Sequence, residues 1–217
     1  FTMEFLESEL LKTLEANQLT IATARARITI HRMEGGRYLP KTNDIAYNMV
    51  VEPLSSDFYA LQTRPYSIDL FKDYFVAPGL LSTLKTNNKM INILGNIYAQ
   101  ENKFENALLL NTNKSIVEAL NGNIFLVKDH IIKTPPLEDG CLKGIIRKQV
   151  IEIIRALEGY EIEESSISPF ELQKADELFL TNTIVGIQPI TMYRKKDYTM
   201  HVSKILVDKL NMKIRLN

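Results

Sequence analysis

The stretch from Glu118 to Arg147 holds the residue types whose order could do chemistry. A carboxylate, Glu118, ends the strand-like run Ser115-Ile116-Val117. Further on, Gly144-Ile145-Ile146-Arg147 opens an apolar-periodic helix. A carboxylate keeps a ring nitrogen protonated, because a nearby opposite charge favours the charged form. The free N–H groups at a helix start bind phosphate. Together they could hold a flat, phosphorylated, cationic ring. If that ring carries an aldehyde, the chemistry also needs a lysine amine to bind it as a Schiff base and then to move protons. Lys85, in Leu84-Lys85-Thr86-Asn87-Asn88, lies upstream of the carboxylate and just ahead of a helical pattern. Taken alone it reads as a surface lysine, as most lysines do. Lys89 competes with it but falls within the helical pattern, where a solvated position is the simpler reading.

Several elements must position these groups. Glu4 to Asn17 places Phe5, Leu6, Leu10, Leu11 and Leu14 at helical spacing. Thr20 to His31 alternates and is rich in β-branched residues, so it reads as a strand, as does Asp44 to Glu52 beyond the Gly35-Gly36 turn. Arg64 to Asp69 predicts a short third strand, and Pro78-Gly79 predicts a joint between two lobes, residues 1–78 and 79–217. Lys89 to Gln100 predicts a helix. Short strands are expected from Ala107, at 116–117, at 123–127 and at 130–133. Gly144 to Leu157 carries a stripe of Ile146, Val150, Ile153, Ile154 and Leu157, which predicts an amphipathic helix. Ser168 before Pro169 signals a capped short helix. A strand at 178–180, the turn Thr181-Asn182-Thr183, a strand at 186–193 and a helix from His201 to Leu210 close the chain. The mixture lacks a regular βαβ rhythm and predicts an α+β fold in two lobes with mostly antiparallel sheet.

Composition excludes several classes. Among 217 residues, 26 Lys and Arg balance 26 Asp and Glu, so no basic footprint for nucleic acid exists. No apolar run is long enough to span a bilayer. The three histidines are too scattered for a zinc motif. One cysteine, Cys141, excludes an internal disulfide framework and fits a reducing, cytoplasmic setting. Neither GxGxxG nor GxxxxGK[ST] occurs, so dinucleotide and P-loop readings lack support. The opening FTMEFLESELL carries early acids and no basic region, unlike a signal peptide, and it reads as a start inside a domain.

The segments around Lys85, Glu118, Gly144 and Thr183 resemble the class IV pyridoxal-phosphate (PLP) aminotransferases. That family includes aminodeoxychorismate lyase, D-amino acid transaminase and the branched-chain aminotransferases. The resemblance implies a D-amino acid aminotransferase-like PLP fold, PLP as cofactor, a small amino substrate and a homodimer. It implies that Lys85 forms the Schiff base and Glu118 faces the ring nitrogen. Leu142 then packs on the ring face. The N–H groups at Gly144, Ile145 and Ile146, with Thr183 and Ile184, bind the phosphate. Arg37 in the small lobe falls to the substrate. The chain also departs from the pattern. Ala119-Leu120-Asn121-Gly122 replaces a serine-rich turn, and Ile146 stands where threonine is usual, removing one hydroxyl bond of about 1 kcal/mol. No His-x-x-Arg-Leu segment occurs, so the small lobe is expected to lack its opening. Met90 replaces a tyrosine of the branched-chain enzymes, while Gly35-Gly36-Arg37-Tyr38 and Thr181-Asn182-Thr183 are closer to the lyases. The expected activity is that of a lyase-like member. The alternatives are a transaminase of D-amino or branched-chain amino acids and a PLP-binding homologue without turnover.

Overall fold

The computed structural model describes residues 1–215. The chain divides into two compact units, Phe1–Phe58 and Tyr59–Asn217.

The first unit contains helix α1 (Met3–Ala16) and the strands β1 (Ala24–Arg32) and β2 (Ile45–Pro53), which pair antiparallel. Thr2 caps α1 by accepting the Phe5 N–H at 3.2 Å. Helix and sheet join where the Tyr47 hydroxyl donates to Glu9 at 2.7 Å, beside edge-on contacts of Phe1 and Phe5 with the Tyr47 ring.

The second unit runs β3 (Ser67–Val76), α2 (Leu80–Thr83), α3 (Met90–Glu101), β4 (Asn106–Asn111), β5 (Ile116–Ala119), β6 (Asn123–Lys128) and β7 (Ile131–Thr134). It continues with α4 (Ile145–Arg155), β8 (Glu161–Glu164), α5 (Pro169–Leu172), β9 (Glu177–Asn182), β10 (Gly186–Ile190), β11 (Met192–Tyr193), β12 (Lys196–Asp197) and α6 (His201–Arg215). Two five-stranded sheets form, ordered β12-β11-β3-β4-β5 and β10-β9-β6-β7-β8. The expected α+β class holds. Antiparallel pairings predominate, and the parallel ones are β11 with β3, β3 with β4 and β7 with β8.

Alternation along the strands builds the layers. Ile68, Leu70, Leu108 and Leu110 of one sheet share a core with Ile124, Leu126, Leu178 and Leu180 of the other. The intervening residues point the opposite way. Phe125, Val127 and Phe179 meet Val150, Ile154, Val202 and Leu206 of α4 and α6. Phe71, Ala107 and Leu109 meet α3. Strands covered on both faces read as unbroken apolar runs, which is why β4 and β6 look continuous rather than alternating. Phe125 and Phe179 stack with centroids 4.9 Å apart.

Some elements differ from expectation. The third strand begins later and runs further, from Ser67 to Val76, because pairing with β4 carries it past the exposed Lys72 and Asp73 through a register break between Phe71 and Val76. The acid-rich strand β8 has no apolar signal of its own. It exists by pairing with β7 at a sheet edge, where charges stay solvated. The Pro78-Gly79 step lies inside the second unit, because β3 ahead of it belongs to the same sheet as β4. None of the described helices is long and apolar enough to cross a membrane.

Candidate active site

Two loops of the second unit meet Glu118, the turn 119–122 that follows it and the segment 141–145, and Asn182, just ahead of the turn 183–185, reaches the first of them at Asn121. Glu118 sits on β5 opposite Leu109, and its Oε2 accepts the Leu142 N–H at 2.8 Å. Burial pushes its carboxyl above the usual range. The Leu142 bond and the positive charges of Lys89 and Lys85 pull in the opposite direction. Both lysines are therefore close enough for the carboxylate to feel. Lys85 is exposed at the apex of a tight turn in which the Thr86 N–H reaches the Leu84 carbonyl at 2.9 Å. Lys89 is half-buried at the start of α3.

The segment before α4 is held from three sides. Besides the Glu118 bond to Leu142, Asn123 donates Nδ2 to the Leu142 carbonyl at 2.8 Å, and the Lys143 N–H reaches the Thr83 carbonyl at 3.0 Å. The last contact fixes the segment two residues ahead of Lys85. Gly144 then starts α4 with no side-chain cap. The first N–H groups of a helix have no partner within it, so those of Ile145 and Ile146 remain available. The Gly144 N–H folds back to the Leu142 carbonyl at 2.8 Å. A Cβ at Gly144 would fall 2.1 Å from the Asn123 Oδ1, so close approach, rather than an unusual φ, requires glycine here. Ile146 is buried in the apolar cluster beneath, whereas Ile145 is exposed. An uncapped helix start, a desolvated carboxylate and a nearby amine form a donor set that fits a phosphorylated cationic ring.

The third loop is closed differently. Asn182 Oδ1 accepts the N–H groups of Ile184 and Val185, both at 2.9 Å, and Tyr59 donates its hydroxyl to the Thr183 carbonyl at 2.9 Å. The Ile184 N–H is thus engaged within the chain, while the Thr183 side chain is exposed. Arg37 belongs to the first unit, in a turn where Arg32 donates to the carbonyls of Gly35 and Arg37 at 3.0 and 2.8 Å.

Sequence reasoning missed the asparagines that fasten these loops. Asn106, buried, accepts the Leu120 N–H at 3.2 Å and donates to Asn121 at 2.8 Å. Asn92 donates to the Leu120 carbonyl at 2.8 Å and so ties α3 to the turn after Glu118. Asn182 donates to the Asn121 carbonyl at 3.2 Å. From the sequence, Asn123 reads only as the start of a strand. The available signal was asparagine placed within apolar runs, where a polar amide needs partners.

The family model of class IV amino-transferases matches residues 1–193. The chain belongs to the class IV aminotransferase family. An aminodeoxychorismate lyase of Vibrio harveyi is 27% identical over 134 residues, which are 62% of this chain and 49% of that protein. A mitochondrial branched-chain-amino-acid aminotransferase of Arabidopsis thaliana is 42% identical over 94 residues, 42% of this chain and 24% of that protein. The match therefore spans about half or less of each relative's length. The class IV fold is confirmed by solved structures. The branched-chain aminotransferase of Thermoproteus uzoniensis superposes with a TM-score of 0.83 at 24% identity, covering 96% of this chain and 70% of that one. The enzyme of Thermobaculum terrenum in its PLP form gives 0.83 at 20% identity, covering 99% and 71%.

Proposed function

We propose that this chain carries the cofactor-binding part of a PLP-dependent enzyme and that the enzyme acts as a lyase of the aminodeoxychorismate type. One observation carries the cofactor reading. The Glu118 carboxylate and the uncapped start of α4 are joined through Leu142, whose N–H binds the first and which lies two residues ahead of Gly144 at the second. Ring nitrogen and phosphate would thus be read by a single short segment.

When bound, PLP supplies an electron sink for charge developing at the substrate α-carbon. Lys85 would hold the cofactor aldehyde through its amine and, once displaced, take the α-proton at Nζ. Its exposed turn leaves room for that exchange. Glu118, disfavoured as an anion by its burial, would gain a cationic partner in the ring nitrogen. Leu142 would cover the ring face. Ile145 and Ile146 would face the phosphate with Thr183, and Gly144 and Ile184 would join them only by exchanging their bonds to the Leu142 carbonyl and to Asn182. The homodimer and a cytoplasmic setting follow the same likeness, and a monomer mass by light scattering would remove the former.

The lyase preference rests on the match with the Vibrio enzyme, which covers more of this chain, and on Met90 in place of tyrosine. The higher identity over the shorter Arabidopsis match favours transamination as the second reading. The full-length protein should develop a visible absorption band with PLP, and Lys85→Ala should abolish it. A band that survives in Lys85→Ala overturns the assignment of Lys85. Release of 4-aminobenzoate from aminodeoxychorismate supports the lyase, whereas keto acid alone, formed from D- or L-amino acids, supports the transaminase.

A further inference from the structure

Arg147 is an unusual occupant of its position. It lies in the first turn of α4, where the macrodipole is positive and a cation is unfavourable. Its side chain is only 6% exposed, a rare state for arginine unless its charge is used. Nη2 donates to the Pro135 carbonyl at 2.8 Å and to Glu164 Oε2 at 2.9 Å. Among the described residues, Nε has no hydrogen-bond partner. Glu164 lies on the edge strand β8, is partly solvated and also receives Arg155 at 3.1 Å, so two guanidinium groups share one carboxylate. Helical side chains lean toward the N-terminus. Here the side chain runs back to the segment ahead of α4, where it meets the Pro135 carbonyl. The carbonyl it grips belongs to Pro135, which also accepts from Cys141 Sγ at 3.4 Å, immediately before Leu142.

Building on the cofactor reading above, we infer that Arg147 is a positioning residue for the phosphate end of the site. It anchors the 135–142 segment to α4, and so holds the Ile145 and Ile146 N–H groups together beside Leu142. Its charge adds positive potential behind those donors. A salt bridge that served stability alone would gain nothing from standing against the dipole. The same pair placed at the C-terminal end of α4 would be favoured by it.

The test compares PLP with pyridoxal, which has the same ring and aldehyde and no phosphate. Both are titrated by visible absorbance into the full-length protein and its Arg147→Met and Arg147→Lys variants, with thermal midpoints recorded alongside. The expected result for Arg147→Met is PLP affinity at least tenfold weaker and pyridoxal affinity within twofold of wild type. Arg147→Lys should recover part of the loss. A folded Arg147→Met whose PLP-to-pyridoxal ratio is unchanged overturns the inference, as does equal weakening of both ligands. If Arg147→Met does not fold, Arg147→Lys carries the test alone, since it keeps the charge but loses the fork that reaches both the Pro135 carbonyl and Glu164, and its ratio should fall two- to threefold. An unchanged ratio there also overturns the inference. Wild type that forms no band with either aldehyde overturns the cofactor reading itself and this inference with it, a failure distinct from loss of phosphate preference in the variants.

Discussion

Helices α4 and α6 pack against the same sheet face and share one apolar cluster, yet their starts are built in opposite ways. At α6 the chain supplies its own anion. Glu177 accepts the N–H groups of Val202 and Ser203 at 2.8 and 2.6 Å, and the Ser203 hydroxyl as well. At α4 there is no acidic residue in the first turn and no capping side chain, and that turn carries the buried cation Arg147. A sealed start stabilises the fold. An open start with a buried cation behind it is stabilised only when an anion arrives from outside. The contrast separates a helix that serves structure from one that serves a ligand.

The largest effect that could break this comparison lies at α6. Glu177→Ala should leave two backbone donors and a hydroxyl buried without partners and lower stability by about 3 kcal/mol, measured by urea unfolding. The PLP-to-pyridoxal preference of the folded fraction should be unaltered. A cost below about 0.5 kcal/mol would mean that the seal is not structural.

The next prediction converts one helix start into the other. Gly144→Asp gives α4 a carboxylate of its own and should weaken PLP binding about 100-fold, roughly 2.7 kcal/mol, with a smaller loss for pyridoxal. Gly144→Ala serves as the steric control, since its Cβ meets the same Asn123 oxygen. If alanine and aspartate behave alike, charge plays no part at this start.

The smallest effect sharpens the comparison between the two buried carboxylates. Burial raises the pKa of Glu118, so the folded protein holds that proton more tightly than the unfolded chain. The corresponding stability is fully present below the unfolded pKa and is lost as pH rises through the folded one. Glutamine does not titrate. Without PLP, Glu118→Gln should therefore match wild type in acid and become the more stable of the two as pH rises toward neutrality, in thermal melts taken across that range. A difference that is constant with pH would show that Glu118 is not desolvated. Added PLP should stabilise wild type more than the variant.

Much of the fold was legible because the periodicity of α4 and α6 and the apolar runs of β4, β6 and β9 agree with their burial, whereas the apolar spacing of α3 places Met90, Ile93 and Ile97 inward and the structure leaves them exposed, burying Gly95 and Ala99 instead. The capped start of α5 was also readable, since Ser168, Pro169 and Glu171 form a local signal. β8 and the length of β3 were not readable. Both depend on a partner strand far along the chain, and pairing leaves no mark on charged residues such as Lys72 or Glu161. In the site, the residue types were visible but their fastenings were not. Nothing local to Asn182 announces that its carboxamide spans two turns, and nothing local to Asn106 announces that it fixes the turn after Glu118.

By itself the sequence determined the apolar layers, the glycine that opens α4, and the order of amine, carboxylate and helix start, because these follow from residue type and short-range spacing. Only the tertiary structure decided that Leu142 joins the carboxylate to that helix start, that Ile184 spends its N–H on Asn182, and that Arg147 lies buried behind the open donors. Each of these depends on atoms brought together from distant segments, where burial rather than residue type sets the strength of a charge or a hydrogen bond.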